Sequence, residues 1–386
     1  MQNKISIKDI ISLIKFPFSY RLENRGGHSL LYSKSKIVIT PAPKVSVVIP
    51  VRNYARFIAF AIESLFAQDY AGEIEIIVVD DGSTDDIKEI LQKYTGRIIY
   101  SHVEHKGVAV ARNEGISLAK GEIITFLDAD DVWDSSRLRR VVEAFNDHPG
   151  IGIVFHNFAV IDSSGRTLFR DFYGAFHAKK KRKDALLADI IDGNVFCGGS
   201  SFSFKGELLK KYYPIPEDIR RGADFYLTTI ISCYTGALYL PEVLGKYRLH
   251  QKNLTFLVNA DKSNPAEIHG DFSHTYEKLI FTLSHIASVS QKDLKTLKER
   301  FNRSCLFFSV LSGNRVDAIK RLPVFFKSSG SFDTLLPNIG LMLFVLFVPK
   351  MFYTYLVRLS FFIKRFIAAL SQERPVIEIN SNETSR

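Results

Sequence analysis

The chain has 386 residues, 46% hydrophobic and 24% charged, a balance that excludes a wholly disordered polypeptide. Its net charge of +10 favours anionic partners: nucleic acid, a phosphate-bearing substrate or the anionic face of a membrane. The three cysteines, Cys197, Cys233 and Cys305, are odd in number, far apart and without Cys/His ligand spacing. Neither a disulfide framework nor a zinc site is expected, and a reducing cytoplasm fits. Residues 1–43 carry Lys4, Lys8 and Lys15 but no clean apolar core with a cleavage site, so no signal peptide is read. Ile5 to Phe18 suits a short amphipathic helix as far as Pro17, and Pro41 and Pro43 then punctuate the chain.

From Lys44 the pattern changes. Residues 45–50 form a β-branched run ended by proline, which reads as an interior strand. Residues 54–68 place Phe57, Ile58, Ala61, Ile62, Leu65 and Phe66 on one helical face. A second strand covers 74–80. Thr84 or Asp85 is expected to cap the next helix, with Ile87, Ile90 and Leu91 facing inward. A short strand at 98–100, a helix over 108–119, a strand over 123–128, a helix over 135–145 and a strand over 151–161 complete the alternation. Such alternation predicts an α/β fold: a mostly parallel sheet with helices on both faces and ligands at the carboxyl ends of the strands. Residues 165–183 read as a loop containing the basic run Lys179–Lys183. Residues 184–250 are mixed, and about 270–330 is helical. Leu335 to Leu370 is apolar but broken by Pro349, Lys350 and Arg358, too interrupted for a span of about 20 residues. A pair of amphipathic helices at a membrane interface fits it better, with a re-entrant hairpin and a soluble helical subdomain as the alternatives.

Two acidic clusters fall just past strand ends. On an extended chain residues two apart point the same way, so Asp128 and Asp130 can face one cation and one ligand. Hard carboxylates suit Mg²⁺ or Mn²⁺, which take few protein ligands plus diphosphate oxygens. The bland alternative is a helix start, where aspartates complement the dipole. Asp80 and Asp81 end the second strand, and Gly82 permits a tight turn. A carboxylate there can accept from the ring N–H of a uracil, or can simply close a capped turn.

Four ordered stretches, VSVVIPVRN (45–53), IIVVDDGSTD (76–85), GVAVARN (107–113) and FLDADD (126–131), together resemble the family 2 glycosyltransferases of the GT-A fold. The resemblance is strong over residues 45–134, weakens after 160 and is absent beyond 255. It implies an inverting transferase for a nucleotide-sugar donor, a UDP-sugar, acting on a glycan or lipid-linked acceptor in cell-surface polysaccharide synthesis. It places Pro50, Val51, Asn53 and Asp80 at the base with Asp81 nearby. Arg112 then lies at the base or diphosphate, Asp128 and Ala129 at the ribose, and Asp130 on Mn²⁺ or Mg²⁺. The acceptor's proton needs a carboxylate. The family's Glu-Asp pair falls on RRGADFY (220–226), which makes Asp224 the base, with Ala223 replacing the glutamate. LGKYRLH (244–250) resembles the closing motif, so His250 is a candidate for the metal shell and Arg248 for the diphosphate. Trp133 is expected to pack under the acidic loop.

The expected organisation is an N-terminal extension (1–43), a GT-A domain (44–255), a helical region (256–334), a membrane-associating segment (335–371) and a polar tail (372–386). The expected location is cytoplasmic, peripheral at the inner face of the cell membrane, with no nucleic-acid partner. A non-catalytic sugar-nucleotide-binding or assembly protein is the rival reading, supported by Ala223. A dinucleotide oxidoreductase is excluded, because no GxGxxG follows the first strand.

Overall fold

The computed structural model describes residues 42–172, 184–185, 187–191, 198–250, 253, 265–312, 314, 316–317, 319–321 and 323. The expected helix at 5–18, the run Lys179–Lys183 and the 335–371 segment lie outside the described residues.

The first half follows the predicted alternation. Strands β1 (Val45–Val51), β2 (Ile74–Asp81), β3 (Ile99–Val103) and β4 (Ile123–Phe126) are separated by α1 (Ala55–Phe66), α2 (Ile87–Gln92) and α3 (Val108–Leu118). They pair in parallel in the order β3-β2-β1-β4. Runs buried on both faces suit such strands. In β1, Val45, Val47 and Ile49 join one core while Val48 joins the other, and in β2 Ile76 and Val78 alternate with Ile77 and Val79 in the same way.

The second half is mixed. It contains β5 (Val132–Trp133), α4 (Arg137–Asp147), β6 (Ile151–Asp162), β7 (Thr167–Phe169), β8 (Asp184–Ala185), α5 (Leu187–Ile191), β9 (Phe202–Lys205), α6 (Gly206–Tyr212), α7 (Ala223–Ser232) and β10 (Gly236–Leu249). The sheet continues β4-β9-β6-β10-β5. Strand β9 is antiparallel to both β4 and β6, and β10 is parallel to β6. Strands β1, β2, β3, β4, β6 and β10 therefore all point the same way, and their carboxyl ends share one edge.

Helices α1, α2 and α4 cover one face of the sheet, and α3 with α5, α6 and α7 cover the other. Two further helices, α8 (Pro265–Ser284) and α9 (Gln291–Ser312), add Leu279, Leu283, Leu294 and Leu297 to the core that holds Leu209, Ile230 and Ile231. Burying each such side chain is worth about 1.5–3 kcal/mol. Among the described residues no helix is long and apolar enough to cross a membrane.

Candidate active site

The carboxyl edge is built from loops that brace one another. Val51 ends β1 opposite Asp80 in β2, and Pro50 and Val51 are both buried. Asn53 adopts φ +58°, a left-handed conformation that asparagine tolerates better than most residues. Its Oδ1 accepts from Thr84 N (2.7 Å), and its own N–H donates to Ser83 Oγ (3.0 Å). Gly82 makes the expected turn at φ +67°. Asp85 does not cap α2. Its Oδ2 accepts from Ala55 N (2.9 Å) at the start of α1.

Asp80 is fully buried. It accepts from Ser83 N (2.8 Å), Tyr100 Oη (2.8 Å) and His102 Nδ1 (3.2 Å). Burial pushes its carboxyl up, but these donors outweigh burial and hold it below its ordinary value. Asp81 accepts from Lys106 N (2.9 Å), Gly107 N (3.1 Å) and His105 Nδ1 (2.9 Å). It thereby fixes the start of α3, the helix that carries Arg112.

Arg112 is buried and donates from Nη2 to Asp128 Oδ1 (3.3 Å), while its Nε finds no partner among the described residues. The acidic loop is tied at several points. Ser200 Oγ accepts from Asp128 N (2.9 Å) and donates to Asp131 Oδ2 (2.6 Å). Asp131 Oδ1 accepts from Arg248 N (2.9 Å), and Arg248 Nε donates to Asp130 O (2.8 Å). Ala129 is buried between them. Trp133 packs beneath, as expected: its Nε1 donates to Ser200 O (2.9 Å) and its ring lies on the Arg137 guanidinium (3.5 Å).

Asp130 Oδ2 stands 2.8 Å from His250 Nε2 and accepts from Asn253 Nδ2 (3.1 Å). The His250 ring stacks on Phe57 (4.8 Å) and meets Tyr54 edge-on (5.4 Å). Burial and the charges of Asp130, Asp128 and Asp131 push the Tyr54 phenol up, so it stands beside the loop as a neutral donor. Asp224 lies in the first turn of α7, behind Gly222 at φ +76°, and its Oδ1 accepts from Phe225 N (2.9 Å).

The predicted residues thus fall into two groups. Arg112 meets Asp128 and His250 meets Asp130 in the acidic loop, and the charge of Asp224 is felt at Asp128. Asn53, Asp80 and Asp81 brace the adjoining loops, beside Pro50 and Val51. Burial raises the Asp128 carboxyl to about 6, with Asp130 and Asp224 adding to it and Arg112 opposing it. Asp131 is raised well above its ordinary value by burial, then by Asp130 and Asp128. Crowded carboxylates of this kind suit a cation. Among the described residues no group of three or more His, Cys, Asp or Glu side chains is placed to hold one. Asp130 and His250 supply one oxygen and one nitrogen at contact distance, a donor pair that fits Mn²⁺ or Mg²⁺ completed by diphosphate oxygens. Sequence reasoning missed Gly199 and Ser200, although the run GGSS (198–201) offered a signal of close backbone approach. It also missed Tyr54, Phe57 and Asn253.

Residues 46–213 match the profile of Glycosyl transferase family 2. An uncharacterized glycosyltransferase of Nostoc is 33% identical over 217 residues, 54% of this chain and 66% of that one. One from Rickettsia typhi is 30% identical over 218 residues, 56% of this chain and 67% of that one. The chain spans between about a third and two-thirds of the length of the curated relatives it matches. The fold resembles that of S. aureus TarS 1–349, with TM-score 0.53, 18% identity, and 85% of this chain and 91% of that one covered. It also resembles the mannosyltransferase PcManGT of Pyrobaculum calidifontis in complex with GDP-Man and Mn²⁺, with TM-score 0.50, 20% identity, and 90% and 91% covered. The chain belongs to glycosyltransferase family 2 and carries its mixed α/β fold.

Proposed function

We propose that the chain is an inverting transferase moving one sugar from a nucleotide-sugar donor, a UDP-sugar, to a hydroxyl of a glycan or lipid-linked acceptor in cell-surface polysaccharide synthesis. The observation that supports this reading is the acidic loop after β4, where Asp128 accepts from Arg112 of α3 and Asp130 lies 2.8 Å from His250, with the charge of Asp224 in α7 felt at Asp128. Solved relatives of the fold hold UDP-GlcNAc and GDP-Man, which supports the donor class.

In this reading the braced loops of Pro50, Val51, Asn53, Asp80 and Asp81 form the base pocket. Asp128 and Ala129 meet the ribose, and Arg112 carries positive charge toward the ribose and diphosphate. Asp224 takes the acceptor's proton as its oxygen attacks the anomeric carbon. Its Oδ1 is engaged by Phe225 N, which leaves Oδ2 for the proton. A Mn²⁺ or Mg²⁺ ion held by Asp130 and His250 would neutralise charge on the leaving diphosphate. The GT-A unit at 44–255 and the helical region at 256–334 are part of the proposal. So is a peripheral seat on the inner membrane face through 335–371, which rests on the aromatic and basic mixture of that segment.

Release of nucleotide from a panel of donors, with and without Mn²⁺, tests this. Asp130→Ala should abolish turnover with the unfolding midpoint retained, and near-normal turnover would sink the assignment. Asp224→Asn should bind UDP as tightly as the parent chain while losing transfer. A parent chain that binds donor saturably and never releases nucleotide would establish the non-catalytic rival instead.

A further inference from the structure

A cavity of about 330 Å³ opens at the same edge of the sheet. Its wall is made by the first turn of α1, the β6–β7 turn and the end of β10. None of Asp80, Asp81, Arg112, Asp128, Asp130, Asp224 or His250 lines it. Three cations do: Arg56 and Lys246 are exposed at the rim, and Arg248 is 4% exposed at the base. No carboxylate belongs to the lining. Asp162 stands beside it, but its oxygens accept from Ser164 N and Oγ and from Arg166 N and Nε.

Arg248 forms no ion pair with a described carboxylate. Its Nε and Nη1 donate to the main-chain oxygens of Asp130 (2.8 Å) and Asp162 (3.4 Å), and Nη2 has no hydrogen-bond partner among the described residues. Its guanidinium lies against Phe57 (5.1 Å) and Phe60 (5.5 Å), an aromatic shelf whose outer ring, Phe60, is 58% exposed. A held guanidinium with a free N–H, two exposed cations at the rim and the Ser163 and Ser164 hydroxyls together make an anion cradle.

We infer that this cavity binds a phosphate-bearing group of the acceptor, with the phosphate on Arg248, Arg56 and Lys246 and the attached sugar or alkyl chain on Phe60. The acceptor role rests on the transfer reading above, whereas phosphate binding at the cavity does not. The cavity shares the acidic loop as a wall through Val132 and the Arg248–Asp130 contact. A group seated in it is therefore next to the donor site without entering it.

The test uses the full chain without donor. Glucose 6-phosphate is compared with glucose by calorimetry, and phosphatidylcholine vesicles with and without phosphatidic acid are compared by co-sedimentation. The first pair probes a soluble phosphate and the second a lipid headgroup. The double variant R56Q/K246Q removes the rim, and K88Q/K93Q removes the same charge from the exposed face of α2. At least one phosphate-bearing probe should bind about tenfold or more tightly than its neutral partner. R56Q/K246Q should lose that preference, K88Q/K93Q should keep it, and UDP should neither displace the probe nor bind the rim variant more weakly. Equal binding of charged and neutral probes, equal loss in both double variants, or displacement by UDP would each overturn the assignment. A parent chain that binds the phosphate probe but no UDP would refute the donor reading and leave the cavity's phosphate preference standing.

Discussion

A Cβ on Gly199 would stand 2.5 Å from Arg112 Nη2, nearer than real Cβ atoms come, and 3.0 Å from Asp128 Oδ1, itself a tight contact. The backbone at this position is the floor on which the Arg112–Asp128 pair rests. Gly199→Ala should push the arginine off its carboxylate, lowering kcat/KM for the donor about tenfold or more, roughly 1.4 kcal/mol of transition-state stabilisation. The unfolding midpoint should move little, since a flexible side-chain end is what gives way. An unchanged kcat/KM would show that the pair tolerates displacement. The aspartates proposed to carry the chemistry could be read from the sequence because they end strands, but what holds them could not. The role of Asp131 is not local: Ser200, 69 residues on, and Arg248, 117 residues on, bind its two oxygens.

At the scale of elements, Asp85 illustrates why local patterns mislead. Its place just before α2 gives it the look of that helix's cap, yet its carboxylate serves α1, 30 residues upstream. Helix α2 begins at Ile87 with no side-chain cap. Asp85→Ala should cost about 1 kcal/mol in urea unfolding, the usual value of a helix cap. It should also weaken UDP binding by loosening the Asn53 loop, which Ser83 and Thr84 hold from the same turn. A loss of stability with UDP affinity intact would uncouple the two loops. The parallel half of the sheet was legible because doubly buried strands are continuous apolar runs, and periodicity marked the helices between them. Strand β9 was not, because four residues running against their neighbours carry no directional signal. The two-residue β5 is defined only by its pairing with Gly245 and Lys246.

For the whole molecule, the proposed site gathers at one edge of the sheet and a different network holds the other. There Glu75, 7% exposed, accepts from Ser46 Oγ (2.5 Å) and Lys120 N (2.8 Å) and pairs with Lys44 Nζ (3.0 Å). Ser46 Oγ in turn accepts from Gly121 N (2.7 Å), so one carboxylate joins β1, β2 and the turn between α3 and β4. Burial pushes the Glu75 carboxyl up, but the bonds from Ser46, Lys120 and Lys44 outweigh it and hold it below the ordinary 4.5. A depressed carboxyl binds its proton more weakly folded than unfolded. Its contribution is therefore complete above about pH 4.5 and lost as the pH falls through the folded value. Glu75→Gln removes the charge and keeps the shape. At pH 7 the variant should be less stable by about 1.5–3 kcal/mol, the range for hydrogen bonds to a charged group. As the pH falls through the folded value, below 4.5, its stability should approach that of the parent chain, because the parent's carboxylate is then being protonated as well. Urea unfolding at a series of pH values measures both limbs. Two curves that stay parallel through the acid range would mean that Glu75 holds this edge by shape alone and that its charge contributes nothing to joining the three segments.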